Sequence, residues 1–388
     1  MGVVGSERAS AARQLLGLDL IRFLAAASVM MFHLSYWSWA KPGSEAARIA
    51  GSVSFPEMEP FTWFGWIGVQ VFFVVSGFVI ALTANGSSPL DFIRRRMTRL
   101  YPAAWICATC SAAVWLALGL QDVRHLWIPY AHSMVLFPQT PWIDGVYWTL
   151  SVEISFYVLI TALLCANLFR HATVVAGVLG AYSTAYWVVQ HALGLQWHAQ
   201  QLFKLSLAPH GCEFALGMLL WLITARGASF TRLALAALCL GGGVLQIMGE
   251  VAIKAAETGR TNSPLPPIVA WLSMVALIAA SSIWGGEIFS RFGRSARVIR
   301  LIGLMTYPLY LLHDVFGSAM LRGLLAVHFG PGTSLTLAAV GTVVLSFGVA
   351  AGLEPIIQRR LKPLLGRIAG LIAQMTAFRF LVRLTQPA

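Results

Sequence analysis

Arg22 and His33 stand eleven residues apart inside one apolar run that starts near residue 16. At ~3.6 residues per turn, eleven residues make close to three whole turns. Both side chains therefore share one helix face, ~16 Å apart along the axis. An arginine at membrane depth is costly, and Asp19, one turn earlier, can pair with it and reduce that cost. A histidine titrates near neutrality and can take the proton of a hydroxyl or briefly carry an acyl group. A satisfied core histidine is the plainer account of His33 taken alone; the in-register arginine shifts the reading toward chemistry.

Three other stretches carry polar groups of the right kind. Phe92-Ile93-Arg94-Arg95-Arg96-Met97-Thr98-Arg99-Leu100-Tyr101-Pro102 places four arginines in six positions. Arg95 and Arg99 are helical neighbours, as are Arg96 and Arg99, and guanidinium forks match phosphate oxygens. A positive-inside loop touching anionic lipid is the alternative. Glu153 lies in an apolar run with Thr149 and Tyr157 one turn away, and can serve chemistry or simply pair with Arg22. In Thr306-Tyr307-Pro308-Leu309-Tyr310-Leu311-Leu312-His313, Tyr310 and His313 are one turn apart; for His313, packing and a place in the site are both open. Ser76-Gly77 reads as a close helix approach, and Glu213, three after His210, is a weaker candidate. The chain holds no GxSxG elbow, Walker loop, HExxH or dinucleotide fingerprint, which excludes ordinary hydrolase, NTPase and Rossmann chemistry.

The elements that hold these residues must sit in lipid. Of 388 residues 58% are hydrophobic and only 11% charged, against roughly 25% charged in soluble domains. An all-α integral membrane protein follows, and ten windows have the ~20 apolar residues of a span. They lie near 16–36, 64–84, 102–119, 147–168, 173–190, 211–225, 231–248, 266–284, 299–320 and 333–352. With the N-terminus inside, 19 of the 27 Lys and Arg fall on inner segments and seven on outer loops. That asymmetry predicts cytoplasmic termini and explains the +12 charge without nucleic acid. The five cysteines lie in apolar stretches, so neither a disulfide framework nor a metal site is expected. The chain divides into a membrane domain, 1–352, and a basic amphipathic tail, 353–388, suited to the inner leaflet. No internal repeat appears, which speaks against many transporter folds.

The motifs, taken in order, resemble the acyltransferase-3 family of integral-membrane acyltransferases, whose bacterial members O-acetylate polysaccharides, lipopolysaccharide and related glycans. The resemblance runs from about residue 14 to 360. Arg22 and His33 look like the family's Arg-ten-residues-His motif, and Ser76-Gly77-Phe78 like its Ser-Gly-Phe step. Phe92, Arg95, Arg96, Arg99, Leu100 and Pro102 fall on Phe-x-x-Arg-Arg-x-x-Arg-[Ile/Leu]-x-Pro. Trp148, Leu150, Glu153, Phe156 and Tyr157 fall on a Trp-Ser-Leu-x-x-Glu-x-x-Phe-Tyr pattern, and Tyr307, Tyr310, Leu311 and His313 on Ser-Tyr-x-x-Tyr-Leu-x-His. Thr149 and Thr306 replace the usual serines and keep a hydroxyl. Glu354-Pro355 lacks the usual spacer, which leaves Glu354 without an assigned role.

The resemblance implies an O-acyltransferase of the bacterial inner membrane, with acetyl-CoA or another short acyl-CoA as cytoplasmic donor and no permanently bound cofactor. The implied acceptor is a hydroxyl of a glycan, a lipid-linked sugar or a glycosylated molecule, and membrane lipid is the remaining partner. Arg95, Arg96 and Arg99 would take the CoA phosphates. His33 would be base or transient acyl carrier, with Arg22 orienting the donor or offsetting oxyanion charge. Glu153 would orient His33 or Arg22, or line the acceptor side. Trp148, Tyr157, Tyr307, Tyr310 and His313 would contact substrate. A transporter or flippase of an anionic or lipid-linked glycan is the competing class.

Overall fold

In the computed structural model, residues 2–51, 53–195 and 201–385 are described, and among them there is no strand. The first long helix, α1 (Gly2–Phe32), runs on through a π-helical turn at His33–Trp37. Such turns insert an extra residue and re-aim side chains, often at functional sites. Three helices complete the first half of the bundle: α2 (Gly68–Ala84), α3 (Pro89–Ala117) and α4 (Trp148–Cys165). Helix α3 starts where the sequence dictates: Ser88 accepts the Asp91 N–H as N-cap and Pro89 fills the first position.

The second half holds α5 (Ala172–Leu193), α6 (Gly211–Arg226), α7 (Phe230–Thr258), α8 (Leu265–Ile283), α9 (Ala296–Leu312), α10 (Val315–Ala326), α11 (Pro331–Gly348) and α12 (Glu354–Thr385). Among the described residues eight helical runs are long and apolar enough to cross a membrane, and a ninth is reached if α9 and α10, bent by 73° at their junction, are counted as one. The window expected at 211–225 is α6, which at 16 residues is only ~24 Å long. It is buried from Gly211 through Leu222 except at Leu220, so most of its short length meets protein instead of lipid.

Glycines set the closest contacts. A Cβ at Gly77 would overlap the Phe214 carbonyl, and one at Gly217 would overlap the Val74 carbonyl. Helices α2 and α6 therefore meet backbone to backbone, as the Ser-Gly step predicts. Gly65 and Gly68 sit in the same way against the Ser28 and Ala25 carbonyls, which locks α1 beside α2. The last span passes through a second π-helical turn, Val349–Leu353, into α12. Pro331–Leu371 forms one run of 41 residues, ~60 Å at 1.5 Å per residue, twice the hydrocarbon thickness. The tail thus continues the last span and packs along α3, with Gly366 beside Arg94. Residues 386–388 of the tail lie outside the described residues.

Candidate functional site

Three cavities follow one another through the bundle. The first, about 300 Å³, is lined by Arg95, Arg96 and Arg99, with Arg22 and Glu153 deeper in. Arg94 is not on its wall; it pairs with Asp91 at 3.0 Å. The other three arginines are held by the protein but keep donors free. Arg95 donates to the Thr83 carbonyl at 3.2 Å. Arg96 donates to Thr83 Oγ1 at 2.7 Å and lies over the Phe92 and Tyr157 rings, while its Nε has no partner among the described residues. Arg99 lies 6.0 Å from the Tyr307 ring centre. Planar, preorganised guanidinium groups over aromatic faces suit a polyanion such as phosphate.

A second, narrow cavity of about 60 Å³ shares Arg22, Ser76, Glu153 and Tyr307 with the first. At about 10–15 Å³ per water it holds only a few. Here Arg22 meets Asp19 at 3.9 Å, the pairing expected from their spacing. Glu153 accepts from Ser76 at 3.1 Å and from Tyr157 at 2.5 Å. Phe72 and Tyr310, in edge-to-face contact at 5.6 Å, stand at the far end.

The third cavity, about 450 Å³, shares Val69 and Tyr310 with the second and contains His33. The π-helical turn begins at His33, and the break between α9 and α10 delivers Asp314 to it. His33 Nδ1 lies 3.2 Å from Asp314 Oδ2, with Asp314 only 6% exposed. The pair is close but not aligned as a hydrogen bond, as catalytic contacts often are before substrate arrives. With Nδ1 turned into the protein, Nε2 is the nitrogen left for a ligand. His313 backs this pair: its ring meets His33 edge-on at 4.8 Å and its Nδ1 bonds the Tyr310 carbonyl at 2.8 Å.

Two further carboxyls stand beside Asp314. Ligand atoms of Glu45, Asp144 and Asp314 lie within 4.8 Å of one another. Asp144 accepts the Val146 N–H at 3.1 Å and the Val315 N–H at 3.4 Å, and Glu45 accepts the Gly145 N–H at 2.7 Å. The group ties the loop before α4 to the start of α10. Burial, with Asp314 facing it, pushes Glu45 up to about 8. Burial also raises Asp144 well above the usual carboxylate range.

The Acyltransferase domain model of the acyltransferase-3 type matches residues 15–351. The chain belongs to the acyltransferase-3 family. It is a multi-pass membrane protein that carries an acyltransferase domain. Among relatives, it is 26% identical to the exopolysaccharide production protein ExoZ of Rhizobium meliloti over 80% of this chain and 95% of that one. It is 26% identical to a protein of Komagataeibacter xylinus provisionally named membrane-bound transacylase BcsY, over 53% of this chain and 50% of the relative. It is 28% identical to a Bacillus subtilis protein provisionally named peptidoglycan O-acetyltransferase YrhL, over 38% of this chain and 23% of the relative. The chain thus spans half of BcsY and less than a quarter of YrhL. No solved structure matches.

Most residues singled out in this acyltransferase-3 sequence converge on the three cavities. Arg22, Glu153 and Tyr307 line the first two, Tyr157 the first, Tyr310 the second and third, and Trp148 the third. Glu153 keeps company with Arg22, and the carboxylate at His33 is Asp314. His313 is fully buried behind His33 and lines none of the three cavities. Sequence reasoning missed Asp314, although it directly follows the motif histidine, because its partner lies on another helix. Glu45 and Asp144 come from loops with no helical register to flag them.

Proposed function

We propose that the protein transfers a short acyl group, acetyl in the first instance, from an acyl-CoA at the arginine end to a glycan hydroxyl at the His33 end. One observation carries this: the cavities run in sequence from Arg95, Arg96 and Arg99 past Arg22 to His33. The arginine end is cytoplasmic by the distribution of basic residues, in a bacterial inner membrane. The CoA phosphates rest on Arg95, Arg96 and Arg99, and the pantetheine arm enters the neck. The ~16 Å from Arg22 to His33 along α1 is comparable to the length of that arm.

At the far end His33 Nε2 takes the acceptor hydroxyl proton while Asp314 holds the ring through Nδ1. The alkoxide oxygen forms an ester bond with the acyl carbon, and the thioester C–S bond breaks. The proton passes from His33 to the departing thiolate, giving free CoA thiol. Arg22, with its charge only partly offset by Asp19, stands at the mouth of the neck and orients the donor there, a whole arm's length from the bond-making end. Glu153, bonded to Ser76 and Tyr157, holds the wall of the neck.

The test is thiol release by purified chain from acetyl-CoA, with and without surface glycan from the host. Release that depends on glycan is expected, and His33→Asn should lower it about 10²–10⁴-fold while acetyl-CoA still binds. Glycan-independent silence, or near-wild-type release by His33→Asn, would overturn the reading. A flippase would release no thiol under any of these conditions.

A further inference from the structure

The cavity around His33 is walled by three tryptophans, Trp37, Trp66 and Trp148, and three lysines, Lys41, Lys204 and Lys254. The aromatic faces suit the apolar faces of sugar rings. The lysines are not equivalent. Lys41 pairs with Glu257 at 2.7 Å. Lys254 lies 3.6 Å from Glu257 and 4.0 Å from Glu250. Two glutamates are thus matched by two lysines. Glu45, pushed up to about 8 by burial and by Asp314, carries much less charge near neutrality than an ordinary glutamate, and the Asp314 charge is turned to His33.

Lys204 is left over. Its ammonium stands 4.9 Å from the Trp148 ring centre, and among the described residues no carboxylate lies within ion-pair distance. A cation drawn partly out of water, with Glu250 acting on it only from beyond ion-pair distance, is a standing cost to the fold. Cation–π contact with an indole returns only part of it. Burial depresses the Lys204 pKa below that of an ordinary lysine, and Glu250 opposes this only in part.

We propose that Lys204 is an anion subsite of the acceptor cavity, and that the acceptor is a glycan bearing a carboxylate or phosphate near the hydroxyl that is acylated. This rests on the acceptor entering at the His33 end. The anion of the sugar completes the pair that the protein leaves open, and Trp148 beneath it carries the neighbouring ring. A neutral glycan would stack on the tryptophans and leave the lysine charge unmatched. The subsite selects among acceptors and takes no part in bond making.

The test is binding to the purified full chain in detergent, measured by calorimetry with three probes. They are a galacturonic acid tetrasaccharide, the same sugar with its carboxylates methyl-esterified, and a neutral tetrasaccharide carrying one phosphate. At least one anionic sugar should bind about tenfold or more tightly than the ester, the size of one charge-assisted contact. Tighter binding of the first assigns a carboxylate; tighter binding of the third assigns a phosphate. Lys204→Met, which keeps the stem over Trp148, should erase the preference, and Lys204→Arg should keep most of it. If neither anionic sugar outbinds the ester on the wild-type chain, the proposal is overturned without need of a variant. It is equally overturned if the preference survives in Lys204→Met. Binding is read without turnover, so an anion-selective but inactive protein would defeat the acyl-transfer reading and leave this one intact.

Discussion

Replacing Asp314 by Asn tests the site at one pair of atoms. The two side chains are nearly isosteric, so packing at the bend between α9 and α10 is kept. The charge is not. At 3.2 Å a full unit pair in an effective dielectric of about 20 would interact by about 5 kcal/mol, which is a ceiling. A charge-assisted contact is worth about 1.5–3 kcal/mol, or roughly ten- to a hundredfold. A second effect acts in the same direction. The Asn amide can donate to His33 Nδ1, which favours the tautomer with its proton on Nε2. That nitrogen then cannot accept a proton from the acceptor hydroxyl, and losing a general base slows transfer by about 10²–10⁴-fold. Turnover at saturation should therefore drop by roughly two to four orders of magnitude, with acetyl-CoA affinity and the acceptor concentration for half-saturation nearly unchanged. Asp314→Glu should recover part of the rate. The assay is thiol release at saturating donor, beside a direct measurement of acetyl-CoA binding and a melting curve. A folded Asp314→Asn protein that turns over within about threefold of wild type would refute the reasoning. A parallel loss of rate and donor affinity would refute it too, by making Asp314 merely structural.

Arg95→Ala and Arg99→Ala should each weaken acetyl-CoA binding roughly ten- to a hundredfold while a saturated enzyme slows far less; lysine at either position should rescue only part of the loss. Unchanged affinity in both would reduce the cluster to a topology signal. Glu45, raised by burial to about 8, holds a proton in the folded chain that the unfolded chain gives up near 4.5. The folded state therefore binds more protons between those values, and its contribution is present below about 4.5 and lost as pH rises toward 8. The melting temperature in detergent should accordingly drop across that window in wild type, and Glu45→Gln, which keeps an acceptor for the Gly145 N–H, should flatten the slope. An unchanged slope would remove Glu45 as its source.

The sequence made the spans legible because lipid imposes a simple length rule on apolar runs. It also placed Arg22 and His33 on one face, since three turns of one helix fix that relation without any knowledge of neighbours. Gly77 was readable as a packing residue, and the Phe214 carbonyl against it is the reason. What depended on contacts between helices was not readable. The π-helical turn at His33 and the 73° bend after Leu312 are local departures from regular helix that apolar periodicity does not reveal. Asp314 owes its place to both. His313, by contrast, matches a motif yet faces inward, because the bend turns its neighbour and not itself toward the cavity. Lys204 lies in a five-residue helix, Gln201–Leu205, outside any span, where hydropathy and helical register say nothing about what a side chain meets.

The narrowness of the middle cavity has an electrical consequence. On the proposed reading the arginine cavity faces one compartment and the His33 cavity the other, and the narrow cavity beside Phe72 and Tyr310 lies between them. A transmembrane voltage drops mainly where the insulating layer is thin, so the field concentrates there instead of spreading over ~30 Å of hydrocarbon. A unit charge crossing the whole potential changes energy by about 2.3 kcal/mol per 100 mV. Any charge that shifts across this septum during turnover experiences much of that. On the same reading that neck, with room for a few waters beside the Phe72 and Tyr310 rings, would limit leakage between the compartments whenever no donor arm fills it.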